Sequence, residues 1–224
     1  LHLAVGLSRQ ARARGSLDLS AGRAAPGGVA VLSAEDFNEI PDCSPSAHDE
    51  PLLAQGEVFY AGHPIFVVAA ESHLAARHAA TKAKITYAEE TPILTVDEAM
   101  AADSRFEDGP RIYAKGDVEK ALAKAPHQVR GTLEIGGQEH FYLEGQAAVA
   151  IPQDDGAMIV QSSSQHPTEI QHKVADALGL PMSEVRVEVR RMGGGFGGKE
   201  SQGNHLAIAC ALIAQRTGRP CKMR

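Results

Sequence analysis

The sequence predicts a mixed α/β fold of the α+β kind, divided into two domains. Short runs that alternate apolar and polar residues, such as LHLAVGLS from residue 1, are typical of strands. Runs of helical periodicity lie between them, and HPTEIQHKVADALGL from residue 166 is the clearest. The 224 residues are enough for two domains. Residues 91–111 carry prolines and weak periodicity, so we predict a linker there and a boundary between residues 103 and 104.

Composition and charge exclude several classes of partner. The net charge of -6, without a long run of Lys or Arg, argues against nucleic acid and membrane surfaces. No apolar stretch is long enough to span a bilayer. Cys43, Cys210 and Cys221 lack the spacing of an iron-sulfur or zinc site, which favours a reducing compartment, the cytoplasm. The sequence begins without Met and both ends resemble interrupted strands, so we expect a piece of a longer polypeptide.

The first domain is predicted to begin with strand, short helix, strand and loop. Residues 1–8, 15–20 and 27–33 have strand patterns, and Ser20 is the predicted cap of a short helical turn. Residues 42–52 are expected to form a loop that contains no packed element.

A strand, helix and strand follow within residues 62–90. IFVVAA is typical of a buried strand, and Leu74 and Ala79 belong to the predicted apolar face of the helix. KITYAEE is the second strand. We therefore predict a right-handed βαβ unit.

The second domain is predicted to open with a helix capped by Asp117. Residues 127–137 and 146–164 contain three strand-like runs, and Pro167 marks the start of a helix. VRVEV then leads into a glycine-rich loop, and the small apolar residues that follow predict a deeply buried helix.

The glycine-rich loop, RRMGGGFGGKES at residues 190–201, is the strongest candidate for a binding site. It matches GxGxxG and most of the P-loop pattern, but Glu200 would place a carboxylate beside phosphates, and the loop lies outside the first βαβ unit. Both nucleotide interpretations are therefore disfavoured. Five glycines around Phe196 favour backbone amides exposed to an anionic or oxygen-rich ligand. The alternative is a tight structural turn.

Two polar clusters accompany this loop. In the segment 162–167, Gln165 ends a strand, and its amide both donates and accepts hydrogen bonds, which suits an oxo or hydroxo group. The segment 138–146, QEHFYLEGQ, is either a second part of the site or a loop satisfied by its own hydrogen bonds. The ten histidines are interpreted as surface or core residues, and no serine lies in a GxSxG motif.

Together, GGQEHFYLEGQ, SSSQHPTEIQ and RRMGGGFGGKESQ resemble the molybdenum-binding subunit of the xanthine dehydrogenase and aldehyde oxidase family, with bacterial xanthine dehydrogenases the nearest branch. The resemblance covers essentially the whole chain. It implies an α/β hammerhead domain for residues 1–103 and the opening part of a molybdopterin-binding domain for residues 104–224.

The resemblance also implies roles for individual residues. Gln165 corresponds to a glutamine beside an oxygen ligand of molybdenum, and the backbone of Phe196 to a contact with the same oxygen shell, neither bonding the metal directly. Glu200 corresponds to the glutamate that binds purines and stabilises charge on their ring nitrogens. Three glycines would let the cofactor approach: Gly194, Gly195 and Gly197.

The implied activity is hydroxylation of purines, hypoxanthine to xanthine and xanthine to urate, with water as the oxygen source. The alternatives are an aldehyde or other N-heterocycle hydroxylase and, in another class, a non-catalytic assembly or binding module. The complete enzyme would hold molybdenum-molybdopterin, with 2Fe-2S clusters and FAD on other domains or subunits. Expected partners are an iron-sulfur/flavin subunit, the remainder of the molybdenum subunit and a second copy. The general base and a purine-orienting arginine would lie outside this segment, which by itself is expected to be inactive and to hold cofactor poorly.

Overall fold

The computed structural model describes residues 1–106 and 109–224, which form two compact units. The larger unit combines Leu1–Thr91 with His140–Arg224, and the smaller unit is Pro92–Glu139. No helix in the described ranges is both long and apolar enough to cross a membrane.

All strands of the described residues lie in the larger unit. The strands are β1 His2–Leu7, β2 Ala13–Asp18, β3 Gly28–Ser33, β4 Glu57–Val58, β5 Pro64–Ala70, β6 Lys84–Glu89, β7 Ala148–Pro152, β8 Met158–Ser162, β9 Val185–Glu188 and β10 Cys221–Met223. Its helices are α1 Ser20–Arg23, α2 His73–Ala80, α5 Pro167–Leu178 and α6 Gly203–Thr217. The smaller unit contains α3 Val96–Ala101 and α4 Val118–Lys124.

Both parts of the larger unit contribute to one mixed seven-stranded sheet. Its order is β3-β5-β1-β10-β7-β8-β9, so β1 from the start of the chain is hydrogen-bonded to β10 from its end. These two strands run parallel, with His2 opposite Lys222. A second sheet has the order β4-β2-β6. The mixed α/β fold class is confirmed.

The predicted βαβ unit is wrong, because β5 and β6 belong to different sheets. β5 is apolar throughout and is buried in the large sheet, whereas β6 alternates and pairs with the amphipathic β2. Alternating strands suit a sheet with one solvated face, which explains the separation. The predicted apolar face of α2 is also partly wrong: Ala79 is buried but Leu74 is exposed.

The main core lies between the large sheet and helices α5 and α6. Ile170 and Val174 of α5 are fully buried there, as are Ile208 and Ile213 of α6. The predictions of an amphipathic α5 beginning at Pro167 and of a deeply buried α6 are confirmed. A second core around Phe66 uses side chains of β5 that alternate with those of the main core.

Two local predictions in the first part of the chain are wrong. Leu19, rather than Ser20, is the cap of α1, because the Ser20 amide donates to the Asp18 carboxylate at 2.9 Å. Residues 42–52 form a packed loop, in which Cys43 and Leu52 are buried in the main core.

The smaller unit has helices, but none of its described residues is buried in a core. Asp117 caps α4 as predicted, and α3 lies within the segment predicted to be a linker. Residues 127–137 form no strand although their pattern predicted one, since no other strand pairs with them among the described residues. The boundary predicted between residues 103 and 104 falls inside this unit and stays a prediction.

Candidate functional site

Three loops of the larger unit meet beside the carboxyl ends of β8 and β9. These strands are parallel neighbours, with Gln161 opposite Glu188, so the segments that follow them leave the same edge of the sheet. Such edges are where open α/β sheets bind ligands. The segment after β8 is residues 163–166, and the glycine-rich loop follows β9. The third loop is residues 140–146, which precedes β7.

Gln165 joins the first two of these segments. Its side-chain Oε1 accepts hydrogen bonds from the amides of Gly197 at 3.0 Å and Lys199 at 3.2 Å. The backbone amide of Gln165 donates to the Lys199 carbonyl at 2.8 Å. The side-chain Nε2 makes no hydrogen bond within the described ranges. This NH2 group is therefore free to donate to a ligand.

Residues 194–197, here called the crest of the glycine-rich loop, have an unusual backbone conformation. Phe196 adopts φ 52° and the residue is 74 % exposed, while Gly194 and Gly197 have φ 101° and 93°. A non-glycine residue in the left-handed region costs about 1 kcal/mol and is common where a loop binds something.

Three consecutive amides of this loop are unpaired among the described residues, although Gly195 itself is buried. The amides of Gly194, Gly195 and Phe196 make no hydrogen bond to any residue that the structure describes. The flanking amides are occupied: that of Gly193 donates to the Glu144 carboxylate, and that of Gly197 donates to Gln165 Oε1 at 3.0 Å. Successive free amides form a cradle for an anionic or oxygen-rich group.

The number of glycines, however, is explained mostly by packing inside the chain. A Cβ on Gly193 would lie 2.6 Å from Glu144, and one on Gly198 would lie 2.6 Å from the Tyr142 ring. A Cβ on Gly195 would lie 2.4 Å from Gln165 Oε1. The number of glycines therefore does not by itself indicate a ligand, and the ligand-binding role of the loop stays a prediction that rests on the unpaired amides.

Lys199, to which the sequence analysis gave no role, is the centre of the arrangement. Its side chain is 0 % exposed, and its Nζ donates to the Glu144 carbonyl at 2.6 Å and to Ser163 Oγ at 2.8 Å. The Glu144 carboxylate lies at 3.3 Å and the Tyr142 ring centroid at 4.6 Å. Its only signal in the sequence is the carboxylate and aromatic residue at 142–144, which pattern alone does not connect with residue 199.

Glu144 is bound to the neighbouring loops and not only to its own. The hydrogen bond from the Gly193 amide, with those from Ser163 and Lys199, lowers the pKa of Glu144 against a smaller opposing effect of desolvation. The carboxylate is thus ionised at neutral pH and neutralises the buried ammonium. Gln146 adds a bond from its Nε2 to the Gly198 carbonyl at 2.8 Å.

The predicted site residues lie together in part. Gly194, Gly195, Phe196 and Gly197 form the crest, and Gln165 is hydrogen-bonded to it. Glu200 follows Lys199 directly, is exposed, and makes no hydrogen bond or ion pair within the described part of the chain. Its carboxylate is available to a ligand. The assigned roles of these residues stay predictions.

The chain is similar to curated xanthine dehydrogenases. It is 41% identical to the xanthine dehydrogenase of Drosophila pseudoobscura pseudoobscura over 99% of this chain and 17% of that protein. It is 40% identical to the xanthine dehydrogenase/oxidase of Gallus gallus over 99% of this chain and 16% of that protein. The chain thus spans about a sixth of the length of these relatives.

Solved structures agree with this relationship. Quinoline 2-oxidoreductase from Pseudomonas putida 86 matches 99% of this chain and 30% of its own with a TM-score of 0.86 and 25% identity. Aldehyde oxidoreductase from Desulfovibrio gigas matches 100% of this chain and 26% of its own, with a TM-score of 0.83 and 28% identity.

Two family models divide the chain between them. The aldehyde oxidase and xanthine dehydrogenase a/b hammerhead domain matches residues 1–91, and the molybdopterin cofactor-binding domain matches residues 105–224. The chain therefore belongs to the xanthine dehydrogenase and aldehyde oxidase family of molybdenum hydroxylases, of which it carries the hammerhead domain and molybdopterin-binding sequence.

Proposed function

We propose that this chain is part of a molybdenum hydroxylase that oxidises purines, hypoxanthine to xanthine and xanthine to urate, with oxygen taken from water. The observation that carries the proposal is the run of three unpaired amides at Gly194–Phe196, with the free Nε2 of Gln165 beside it and the exposed Glu200 on the same loop. The sequence similarity to xanthine dehydrogenases supports the purine substrate.

The residues present fit molybdopterin. The cofactor is rich in oxygen acceptors, and this part of the loop supplies donors to match them: the unpaired amides and the Gln165 NH2 group. Gly197 helps because a Cβ there would point into nearly open space, with His140 the nearest neighbour at 3.8 Å. When bound, the molybdenum centre supplies water activation and accepts the electrons of the reaction.

The protein's own contribution is orientation and electrostatics. Gln165 and the backbone of Phe196 would fix the oxygen side of the cofactor without bonding the metal. Glu200 would hydrogen-bond the heterocycle and stabilise the charge that develops on its ring nitrogens. In the same proposal, the hammerhead domain ends at residue 103, and 2Fe-2S clusters and FAD reside on other domains or subunits. The complete enzyme would be a cytoplasmic homo-oligomer.

The test is Glu200→Val in the complete enzyme. We expect kcat/KM for hypoxanthine and xanthine to fall about ten- to a hundredfold, because a hydrogen bond to a charged group contributes about 1.5–3 kcal/mol. Turnover of a small aldehyde should stay at the parent level. The control is Glu134→Val, an exposed carboxylate of the smaller unit, which should change neither rate. Equal losses for purine and aldehyde would overturn the purine assignment.

A hydroxylase of aldehydes or other N-heterocycles is the second candidate, because the fold also matches aldehyde oxidoreductase and quinoline 2-oxidoreductase. The parent enzyme assayed on purine, aldehyde and quinoline decides between the two. A non-catalytic module is the remaining alternative, and a folded complete protein that contains neither molybdenum nor pterin would favour it.

A further inference from the structure

We propose that Lys199 is a positioning residue for the cofactor: its buried ammonium holds the loop 140–146 and the segment 163–165 against the glycine-rich loop, so that the unpaired amides and the Gln165 NH2 group are directed to one ligand. This inference rests on the proposed function for the identity of that ligand. The arrangement itself rests on contacts within the larger unit.

The burial of Lys199 needs an explanation beyond stability. Removing an ammonium from water costs several kcal/mol, and well-packed apolar residues of similar volume are often equally or more stable than a buried ion pair. Lys199 is nevertheless fully buried, with Glu144 its ionic partner at 3.3 Å. A methionine would fill most of the same space, so we attribute the lysine to the geometry that it imposes.

The Lys199 side chain uses all of its hydrogen-bond donors in contacts with the loop 140–146 and the segment 163–165. Its Nζ has three donors, and it contacts three acceptors: Glu144 O, Glu144 Oε2 and Ser163 Oγ. Because these donors are used inside the protein, Lys199 does not reach a phosphate or a substrate. It acts through the groups that it holds.

The backbone of Lys199 holds the third element. Its amide donates to Gln165 Oε1 at 3.2 Å, and its carbonyl accepts from the Gln165 amide at 2.8 Å and from Ser164 Oγ at 3.3 Å. Gln165 Oε1 also accepts a hydrogen bond from the backbone amide of Gly197, one residue beyond Phe196. A shift of Lys199 would therefore move both the crest and the Gln165 NH2 group.

The first experiment compares Lys199→Met with the parent in the complete enzyme. We expect molybdenum and pterin content to fall about tenfold, the scale seen when a residue that orients metal ligands is removed. The matched control is Lys173→Met, because Lys173 is also buried and paired, with Asp42 at 2.9 Å, and in the described part of the chain its side chain makes no hydrogen bond or ion pair to the three loops. Lys173→Met should retain the parent's cofactor content. Parent-level content in Lys199→Met would overturn the proposal.

A second measurement does not depend on the cofactor. In complete protein produced without cofactor, trypsin should cut after the exposed Arg190 and Arg191 several times faster in Lys199→Met than in the parent. Equal rates would contradict the positioning role. If the parent itself never contains molybdopterin, the proposed function fails, while this comparison still decides whether Lys199 orders the loop.

Ser163→Ala covers the case in which Lys199→Met does not fold. It removes one acceptor of the ammonium and leaves both acceptors on Glu144. We expect a smaller loss of cofactor and a smaller gain in cleavage, in the same direction. A folded Ser163→Ala protein with parent values for both would overturn the proposal.

Discussion

The two units of the chain hold their secondary structure in different ways. The larger unit buries apolar side chains in two cores, whereas the smaller unit, Pro92–Glu139, buries none of its described residues. Both contain capped helices, yet strands occur only in the larger unit as far as the structure describes it. Residues 127–137 alternate as regularly as β1 and form no strand. Local sequence is thus sufficient for a helix, but a strand requires a neighbour.

The largest difference between the units should come from truncating a phenylalanine in each. Phe66 is 1% exposed and lies in the second core, so Phe66→Ala should lower the free energy of unfolding by about 3–5 kcal/mol. Phe106 of the smaller unit is 90% exposed, and Phe106→Ala should change it by less than about 0.5 kcal/mol. Denaturant unfolding measures both. If both variants lose a similar free energy of unfolding, Phe106 is buried rather than exposed, and the comparison between the units fails.

Replacing one glycine in each unit by alanine should have an intermediate effect on stability. Gly195→Ala places a Cβ 2.4 Å from Gln165 Oε1, so it should displace that side chain, cost about 1–3 kcal/mol and reduce cofactor content. Gly136→Ala meets no atom within 4 Å. It should leave stability unchanged or raise it by up to about 1 kcal/mol, by restricting the unfolded chain. Unfolding curves and molybdenum analysis test the pair, and a neutral Gly195→Ala would contradict the packing argument.

The smallest effect concerns pH. Partial burial alone would raise the pKa of Asp36, but hydrogen bonds from Ser33 and Arg216 outweigh it and hold that pKa below its usual value. The unfolded chain therefore binds a proton first, and the stability that Asp36 contributes is present above about pH 4 and lost as pH falls further. Asp36→Asn should remove this loss, under about 1 kcal/mol for a partly exposed pair.

The measurement for Asp36 is the midpoint of denaturant unfolding at neutral pH and at several values below pH 4. Glu134→Gln, an exposed carboxylate of the smaller unit, is the control and should keep the parent's pH dependence. If the Asp36→Asn protein loses as much stability at low pH as the parent, the hydrogen-bonded Asp36 carboxylate is not a source of that loss.

Much of the fold could be predicted because its signals are local. Asp117 and Pro167 marked helix starts, and the apolar run of β5 marked a buried strand. The pairing of strands could not be predicted in the same way. β6 lies beside β2 rather than β5 because its alternating pattern needs a half-solvated sheet, and the choice of partner depends on residues far away in sequence.

The candidate site shows the same division. The three loops were predicted from their residue types, and Gln165 and the glycine-rich loop do lie together. Lys199 was missed because its role depends on Glu144 and Ser163, which are distant in sequence and are joined only by the fold. The packing role of the glycines could not be predicted for the same reason: Gly193, Gly195 and Gly198 are required by neighbours that no local pattern reveals.

The pairing of β1 with β10 also has a consequence for folding during synthesis. His2 and Lys222, which pair in parallel, lie far apart in sequence, so β1 is synthesised long before β10. Until then β1 has only β5 beside it, and its other edge is an open template for the strands of other nascent chains. Pairings of such long sequence separation form slowly. We therefore expect the yield of folded protein to depend on chaperones that shield this edge during synthesis.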